Sequence, residues 1–230
     1  MSRFIQKMFT EVPRTYKLLN HLLTFGQDIF WRRRAARAAA AGGGTLWLDA
    51  CSGTGDMAAC LSHLAGDGTN IVAADFSFPM MSKAMEKSNA KRIRFTLADV
   101  GCLPFQDNCF DVIIISFATR NINLTKDNLL KCLEEFYRVL KPDGQFVNLD
   151  TSQPKFAPIR WMFHLYIKAT VRPIGRLISG SDPAYTYLSH SMHHFYRPEK
   201  LAEIIRQAGF CEVRFNRMLF GAAAIHQAIK

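Results

Sequence analysis

Short apolar runs alternate with stretches of helical periodicity through the middle of the chain. Thr45-Leu46-Trp47-Leu48-Asp49 and Asn70-Ile71-Val72-Ala73-Ala74-Asp75 read as strands, each followed by a helix, over 57–64 and about 78–90. A third strand is expected over 92–99 and a fourth over 110–118. The core of the fourth, Val112-Ile113-Ile114-Ile115, is apolar on both faces, which suits the middle of a parallel sheet. Over 127–141, Leu129, Leu130, Leu133, Phe136, Tyr137 and Leu140 recur at three- and four-residue spacing. Lys141-Pro142-Asp143-Gly144 is expected to end that helix, with a fifth strand over 144–149. Strands and helices alternating with short connections predict a doubly wound α/β sheet.

The last third breaks this rhythm. A helix over 198–208 stops at Gly209, and two strands, 213–219 and 222–229, follow with only Phe220 and Gly221 between them. Strands joined so tightly must run antiparallel. The expected fold is therefore one domain over 1–230, a mostly parallel seven-stranded sheet ending in an antiparallel hairpin. A helical N-terminal segment (1–42) and a helical insertion (153–196) complete it. A parallel core ending in a hairpin resembles the Rossmann-like fold of class I S-adenosylmethionine (SAM) methyltransferases.

Composition narrows the class without deciding it. Of 230 residues, 49% are hydrophobic and 12% aromatic, which excludes a disordered chain, and no apolar run approaches the length of a membrane span. The six cysteines form no C-x-x-C pair, so a reduced, mostly buried set is expected and no metal site. The first fourteen residues do not read as a secretory signal, and a cytoplasmic setting follows. The net charge of +10 is unevenly spread. Lys and Arg outnumber acids eight to two over 1–40 and eleven to four over 153–230, while acids lead thirteen to ten over 41–152. Basic flanks around an acidic middle suit an enzyme of nucleic acid or one lying against anionic phospholipid.

Asp49-Ala50-Cys51-Ser52-Gly53-Thr54-Gly55-Asp56 joins the first strand to its helix, where glycines let a backbone approach a ligand and the helix start offers free N–H groups. Gly53-Thr54-Gly55-Asp56-Met57-Ala58 also fits a dinucleotide fingerprint, with Asp75 where a ribose-binding acid belongs. The loop alone is ambiguous. Negative charge at Asp49 and Asp56 favours SAM, whose ammonium and sulfonium it attracts, over a pyrophosphate, which it repels. Asp56 is equally readable as a helix cap. Asp75 and Asp99 end the second and third strands and so face the crevice at the carboxyl edge of the sheet. Gly53, Thr54, Gly55, Asp75 and Phe76 are expected on the cofactor, Asp75 at the ribose hydroxyls, Asp99 with Val100 at the adenine edge, and Ser116 in the same cavity.

Two further segments are double-edged. Along 156–178, Arg160, His164, Lys168, Arg172 and Arg176 recur every four residues opposite an apolar remainder, with Pro173 expected to kink or stop the helix. It reads as a domain helix or as an interfacial element, as does Phe30-Trp31-Arg32-Arg33-Arg34. His190-Ser191-Met192-His193-His194 lacks the acids or cysteines a metal site would need.

Several motifs together carry a narrower resemblance. Asp49 to Asp56, Leu103-Pro104-Phe105-Gln106-Asp107-Asn108-Cys109-Phe110-Asp111, Ser116-Phe117-Ala118-Thr119-Arg120-Asn121-Ile122 and Arg138-Val139-Leu140-Lys141-Pro142 resemble the C-methyltransferases of menaquinone and ubiquinone biosynthesis. The likeness extends from Tyr16 through Trp31-Arg32 to Tyr185-Thr186-Tyr187-Leu188, Gly221 and His226. The chain departs from the family at Lys17, Thr119, Asp150-Thr151 and Leu219, where an acid, a leucine, a Glu-Phe pair and a threonine are usual. The resemblance implies methyl transfer from SAM to a ring carbon of a prenylated quinol such as demethylmenaquinol. Arg120 and Asn121 would stabilise the ring oxyanion, and Tyr16 would relay the proton. The implied partners are a lipophilic quinol, an anionic membrane surface and a second copy of the chain, and no nucleic acid. The rival reading, a SAM methyltransferase of RNA or of a soluble small molecule, draws on the charge. Against it, the fourth strand ends in Ser116 to Asn121 rather than in an Asn/Asp-Pro-Pro-aromatic motif.

Overall fold

Seven strands form one sheet in the order β3-β2-β1-β4-β5-β7-β6 in a computed structural model that describes residues 21–87, 90–179 and 182–230. The strands are β1 (Leu46–Ala50), β2 (Asn70–Asp75), β3 (Ile93–Leu97), β4 (Phe110–Ser116), β5 (Leu140–Thr151), β6 (Cys211–Met218) and β7 (Ala223–Ile229). β1 to β5 pair in parallel, and β7 runs antiparallel between β5 and β6. The strand order reverses between β1 and β4, which opens a crevice at their carboxyl ends.

Alternation along each strand divides two cores. Leu48, Ile113, Ile115 and Phe146 face one side, under α5 (Lys126–Val139) and α8 (Pro198–Gln207). Both helices present the stripes their periodicity predicts, with Leu129, Leu133 and Phe136 inward on α5 and Leu201, Ile204 and Ile205 inward on α8. Thr125 caps α5 by accepting from the Asn128 N–H at 3.1 Å. Trp47, Ile114 and Val147 face the other side, covered by α1 (Gln27–Ala40) and α2 (Asp56–Ser62). α1 inserts Trp31, Ala35, Ala36 and Ala39, so Trp31 and Arg32 belong to the interior while Phe30, Arg33 and Arg34 stay outside.

Several expectations need correction. α5 ends at Val139, and β5 begins at Leu140, which pairs with Phe110 before a register shift. Pro142 holds Lys141 extended and has no N–H for the ladder, so the 141–144 segment is a bulge within the strand rather than a turn before it. The second helix after the loop, α3 (Phe78–Met85), is shorter than expected. β3 closes at Leu97, and Asp99 pairs only in an isolated bridge with Cys102. α6 (Ala157–Ser179) continues past Pro173, which does not stop it. Its buried side holds Ile167 and Val171, whereas Phe156, just before it, and Trp161, Met162 and Leu165 on it are exposed. All six cysteines are free, but only Cys132 is buried; Cys102 and Cys211 are exposed. Among the described residues no helix is long and apolar enough to cross a membrane.

Candidate active site

Both chains that leave the sheet at the reversal point do so through a residue in the left-handed region. After β1 it is Cys51, with φ +55°, and after β4 it is Phe117, also with φ +55°. A bulky side chain rarely adopts this conformation, and such strain collects where a backbone must be aimed. Gly53 (φ +52°) and Gly55 (φ +72°) continue the turn toward α2, so the loop folds back over the sheet edge. Glycine is required at 55 for a second reason: a Cβ there would lie 2.8 Å from that of Ala84 on α3.

The two strand-end acids hold this loop in place. Asp75 accepts from the Gly53 N–H at 2.7 Å with one oxygen and from the Ser77 N–H at 2.8 Å with the other. Asp49 accepts from the Ala58 N–H at 2.8 Å, while its Oδ1 is buried with no hydrogen-bond partner. Burial pushes the Asp49 carboxyl up to about 8, its Ala58 bond opposes this, and the charge of Asp75 adds to the rise. Burial also raises Asp75, against the pull of its backbone donors. Asp56, at the start of α2, accepts from Thr54 Oγ1 at 2.9 Å and pairs with Lys87 Nζ at 2.7 Å.

Together these elements line a cleft that opens to solvent. Gly53, Thr54, Asp75, Phe76, Ser116 and Asn121 line it. Arg32, Ser52, Met80 and Phe117 line it too, although the sequence reading does not single them out for it. Asp49 sits fully buried beside the cleft and does not line it. Asp99 lies in a neighbouring cavity with Gly101, Asn128 and Lys131, and the Val100 side chain is buried in the core. Cys51 lines the first cavity, and burial, with the nearby charge of Asp75 and Asp99 adding, raises its thiol pKa.

Arg120 and Asn121 lie on the single-turn helix α4 (Thr119–Ile122) that follows Phe117. Asn121 reaches the cleft, but Arg120 turns the other way into a buried pair with Asp150 at 3.0 Å. Asp150 also accepts from the backbone N–H groups of Arg120 (3.2 Å) and Thr151 (2.7 Å). One residue earlier, Thr119 donates to Asn148, whose amide faces His226 Nδ1 at 3.5 Å, and His226 Nε2 lies 2.9 Å from the Pro198 carbonyl. Asn148 and Asp150, two apart on β5, thus pin α4 at two successive residues. Tyr187 of α7 (Asp182–His194) lies within electrostatic reach of Arg120 and Asp150. Tyr16 is outside the described residues. Among the described residues no group of three or more His, Cys, Asp or Glu is placed to hold a metal ion, the histidines of α7 included.

Known proteins share this fold. A SAM-dependent methyltransferase from Thermotoga maritima superposes with a TM-score of 0.68 at 16% identity over 97% of this chain and 99% of that one. One from Aquifex aeolicus gives 0.59 at 21% identity, covering 85% and 88%. The demethylmenaquinone methyltransferase of Thermus thermophilus is 40% identical over 221 residues, 95% of this chain and 98% of that one. The ubiquinone/menaquinone biosynthesis C-methyltransferase UbiE of Desulfotalea psychrophila is 36% identical over 227 residues, 98% and 90%. The sequence model of the ubiE/COQ5 methyltransferases matches residues 1–230, and the chain belongs to that family.

Proposed function

We propose that this methyltransferase carries a methyl group from SAM to a ring carbon of a prenylated quinol, demethylmenaquinol or its benzoquinol counterpart. The observation that carries the reading is the buried Asp49 carboxyl beneath the glycine loop, with one oxygen unpartnered. An acid so placed suits a ligand bearing ammonium and sulfonium charges and opposes a pyrophosphate. Gly53, Thr54, Gly55, Asp75, Phe76 and Ser116 are the residues that would hold the cofactor. Asp75, which lines the cleft, would accept from the ribose hydroxyls. Asp99 and Val100 would take the adenine edge through the adjoining cavity. When bound, SAM supplies the methyl group.

The remaining chemistry falls to the chain. A quinol ring carbon attacks well only once a ring hydroxyl has lost its proton, and phenols hold theirs to a pKa of about 10. Asn121, on the cleft, offers an amide donor to the developing oxyanion. Arg120 lies beside Asp150 rather than on this cleft, and its Nη2, with no hydrogen bond among the described residues, would be the second donor for a ring held on that side. Tyr16 is assigned to the proton relay. Tyr187 is a second phenol for that task, since burial raises its pKa and it keeps its proton at neutral pH.

The prenyl tail calls for an apolar setting. Phe25 is 81% exposed and Trp161 67%, with Leu22, Ile29, Phe30, Phe156, Met162 and Leu165 also outward. Contact between the Phe25 and Tyr166 rings, and the bond from Tyr166 Oη to the Leu23 carbonyl at 2.8 Å, make the two groups one surface. Arg33, Arg34 and Lys168, exposed on the same helices, supply positive charge. This surface fits an anionic bilayer, entered to the depth of the headgroups.

Incubation with methyl-labelled SAM and a short-chain demethylmenaquinol tests the assignment. Label in the quinol fraction is expected. Label in added RNA would favour the rival enzyme, and cofactor binding without transfer would make the chain a binding protein.

A further inference from the structure

We propose that Arg32 is the residue that recognises the carboxylate of the methyl donor's amino-acid end. The inference rests on the reading of the cleft as a SAM site and adds a group to it. Two acids, Asp56 and Asp75, line the cleft, and Arg32 is the one cation among its described lining residues. The ligand in question carries both signs of charge in its amino-acid part. Asp56 and Asp75 on the cleft wall, with the buried Asp49 behind it, make the negative side that suits the ammonium. Arg32 is the counterpart for the carboxylate.

The side chain is built for this task rather than left over from the surface. Only 9% of Arg32 is exposed. Its Nη1 is fixed on Asp28, one helical turn earlier, at 2.6 Å. Asp28 is itself held by His21 at 2.7 Å and by Thr24 at 3.0 Å, so its position is determined from three sides. The guanidinium lies over the Phe117 ring at 4.8 Å, and Phe117 is fixed in its left-handed conformation by a 2.7 Å bond to the Leu149 carbonyl. Yet the donors are not all used. Nε is buried without a partner, and Nη2 makes no hydrogen bond among the described residues. A guanidinium has five N–H groups in a planar fork, and leaving them unmet in a largely dry site is costly. A carboxylate in the cleft meets that fork with two oxygens. A mere strut for α1 would need neither a place on the cleft wall nor donors left unmet there.

The test is a binding comparison that needs no turnover. Calorimetry is run with SAM and with decarboxylated SAM, which lacks only the carboxylate, on the wild type, Arg32→Gln and Arg32→Lys. Charge-assisted hydrogen bonds of this kind correspond to about 10- to 100-fold in affinity. The wild type is expected to prefer SAM by that ratio. Arg32→Gln should weaken SAM by the same ratio and leave the decarboxylated ligand within about twofold, so that the preference disappears; Arg32→Lys should retain part of it. Should Arg32→Gln alone fail to fold, Asp28→Asn with Arg32→Gln removes both charges together and gives the same comparison. Equal weakening of both ligands, or an undiminished preference, overturns the inference while leaving the cofactor reading intact. Failure of the wild type to bind either ligand overturns the cofactor reading itself and the inference with it.

Discussion

The Arg120 guanidinium and the Asp150 carboxylate meet at 3.0 Å with both side chains almost wholly buried. Removing one member of such a pair strands the other charge, at a cost of about 3–5 kcal/mol. Arg120→Met should therefore lower the unfolding free energy by that amount. Arg120→Met combined with Asp150→Asn, which keeps an oxygen for the Arg120 and Thr151 N–H groups, should recover most of it. Methyl transfer should stay depressed by about 10²- to 10³-fold in both, because the oxyanion donor is gone in both. Denaturant titration alongside a turnover assay separates the two roles. Recovery of turnover together with stability in the double variant would reduce Arg120 to a strut.

Two buried groups give opposing pH dependences. His226 has its pKa lowered to about 4 by burial, against a bond to the Pro198 carbonyl that raises it. The unfolded chain then binds the extra proton between about 4 and 6.5, so this group's contribution is full above 6.5 and falls as pH drops through that window, by about 3 kcal/mol in all. Asp49 runs the other way. Its folded pKa of about 8 lies above the ordinary carboxyl value, so its contribution is full below about 4 and is lost as pH rises through 8. The two slopes oppose each other below 6.5, and Asp49 acts alone between 6.5 and 8. Unfolding free energies measured in that upper window should fall with pH in the wild type and flatten in Asp49→Asn. His226→Gln should leave the upper window unchanged and steepen the opposite slope below it.

The central sheet is legible in the sequence because β1, β2 and β4 are short apolar runs bounded by acids or glycines, and the hairpin because its two runs lie close together, although four residues, Leu219 to Ala222, separate β6 from β7 rather than the two expected. The start of β5 is not legible. Leu140 continues the apolar stripe of α5, and only its pairing with Phe110, thirty residues away, makes it a strand. The glycine loop, Asp75 and Ser116 share a cleft because all lie at the carboxyl edge of the sheet, and Asn121 joins them from the short helix that follows β4. Arg32 escapes the reading because Arg32-Arg33-Arg34 looks like solvated charge; only the position of Asp28, four residues before Arg32, marks it as the buried one. That Arg120 turns toward Asp150 is equally hidden, since it depends on which face of a single-turn helix meets β5.

The loop glycines should differ in their tolerance of a methyl group. Gly53 has open space where a Cβ would stand, so Gly53→Ala carries only the left-handed backbone cost, roughly 1–2 kcal/mol. At Gly55 the same cost is joined by a collision with Ala84 at 2.8 Å. Gly55→Ala should be the more destabilising in thermal melts. Equal effects would remove the close approach of α2 and α3 from the account.

The apolar surface shared by α1 and α6 should bind anionic vesicles at low salt, and Trp161→Ser with Leu165→Ser should reduce co-sedimentation several-fold without lowering the melting temperature, since both side chains are exposed. Binding that ignores these substitutions, or no preference for anionic over neutral vesicles, would rule out docking through this face.

The chemistry rests on a cleft shaped for a cationic alkyl donor, and calorimetry at pH 7 in buffers of different ionisation enthalpy measures that directly. SAM should bind with net release of protons, as its positive charge favours the carboxylate form of Asp49, and NADH should give no heat. Tight NADH binding with none of SAM, or SAM binding with no proton released, would contradict the account.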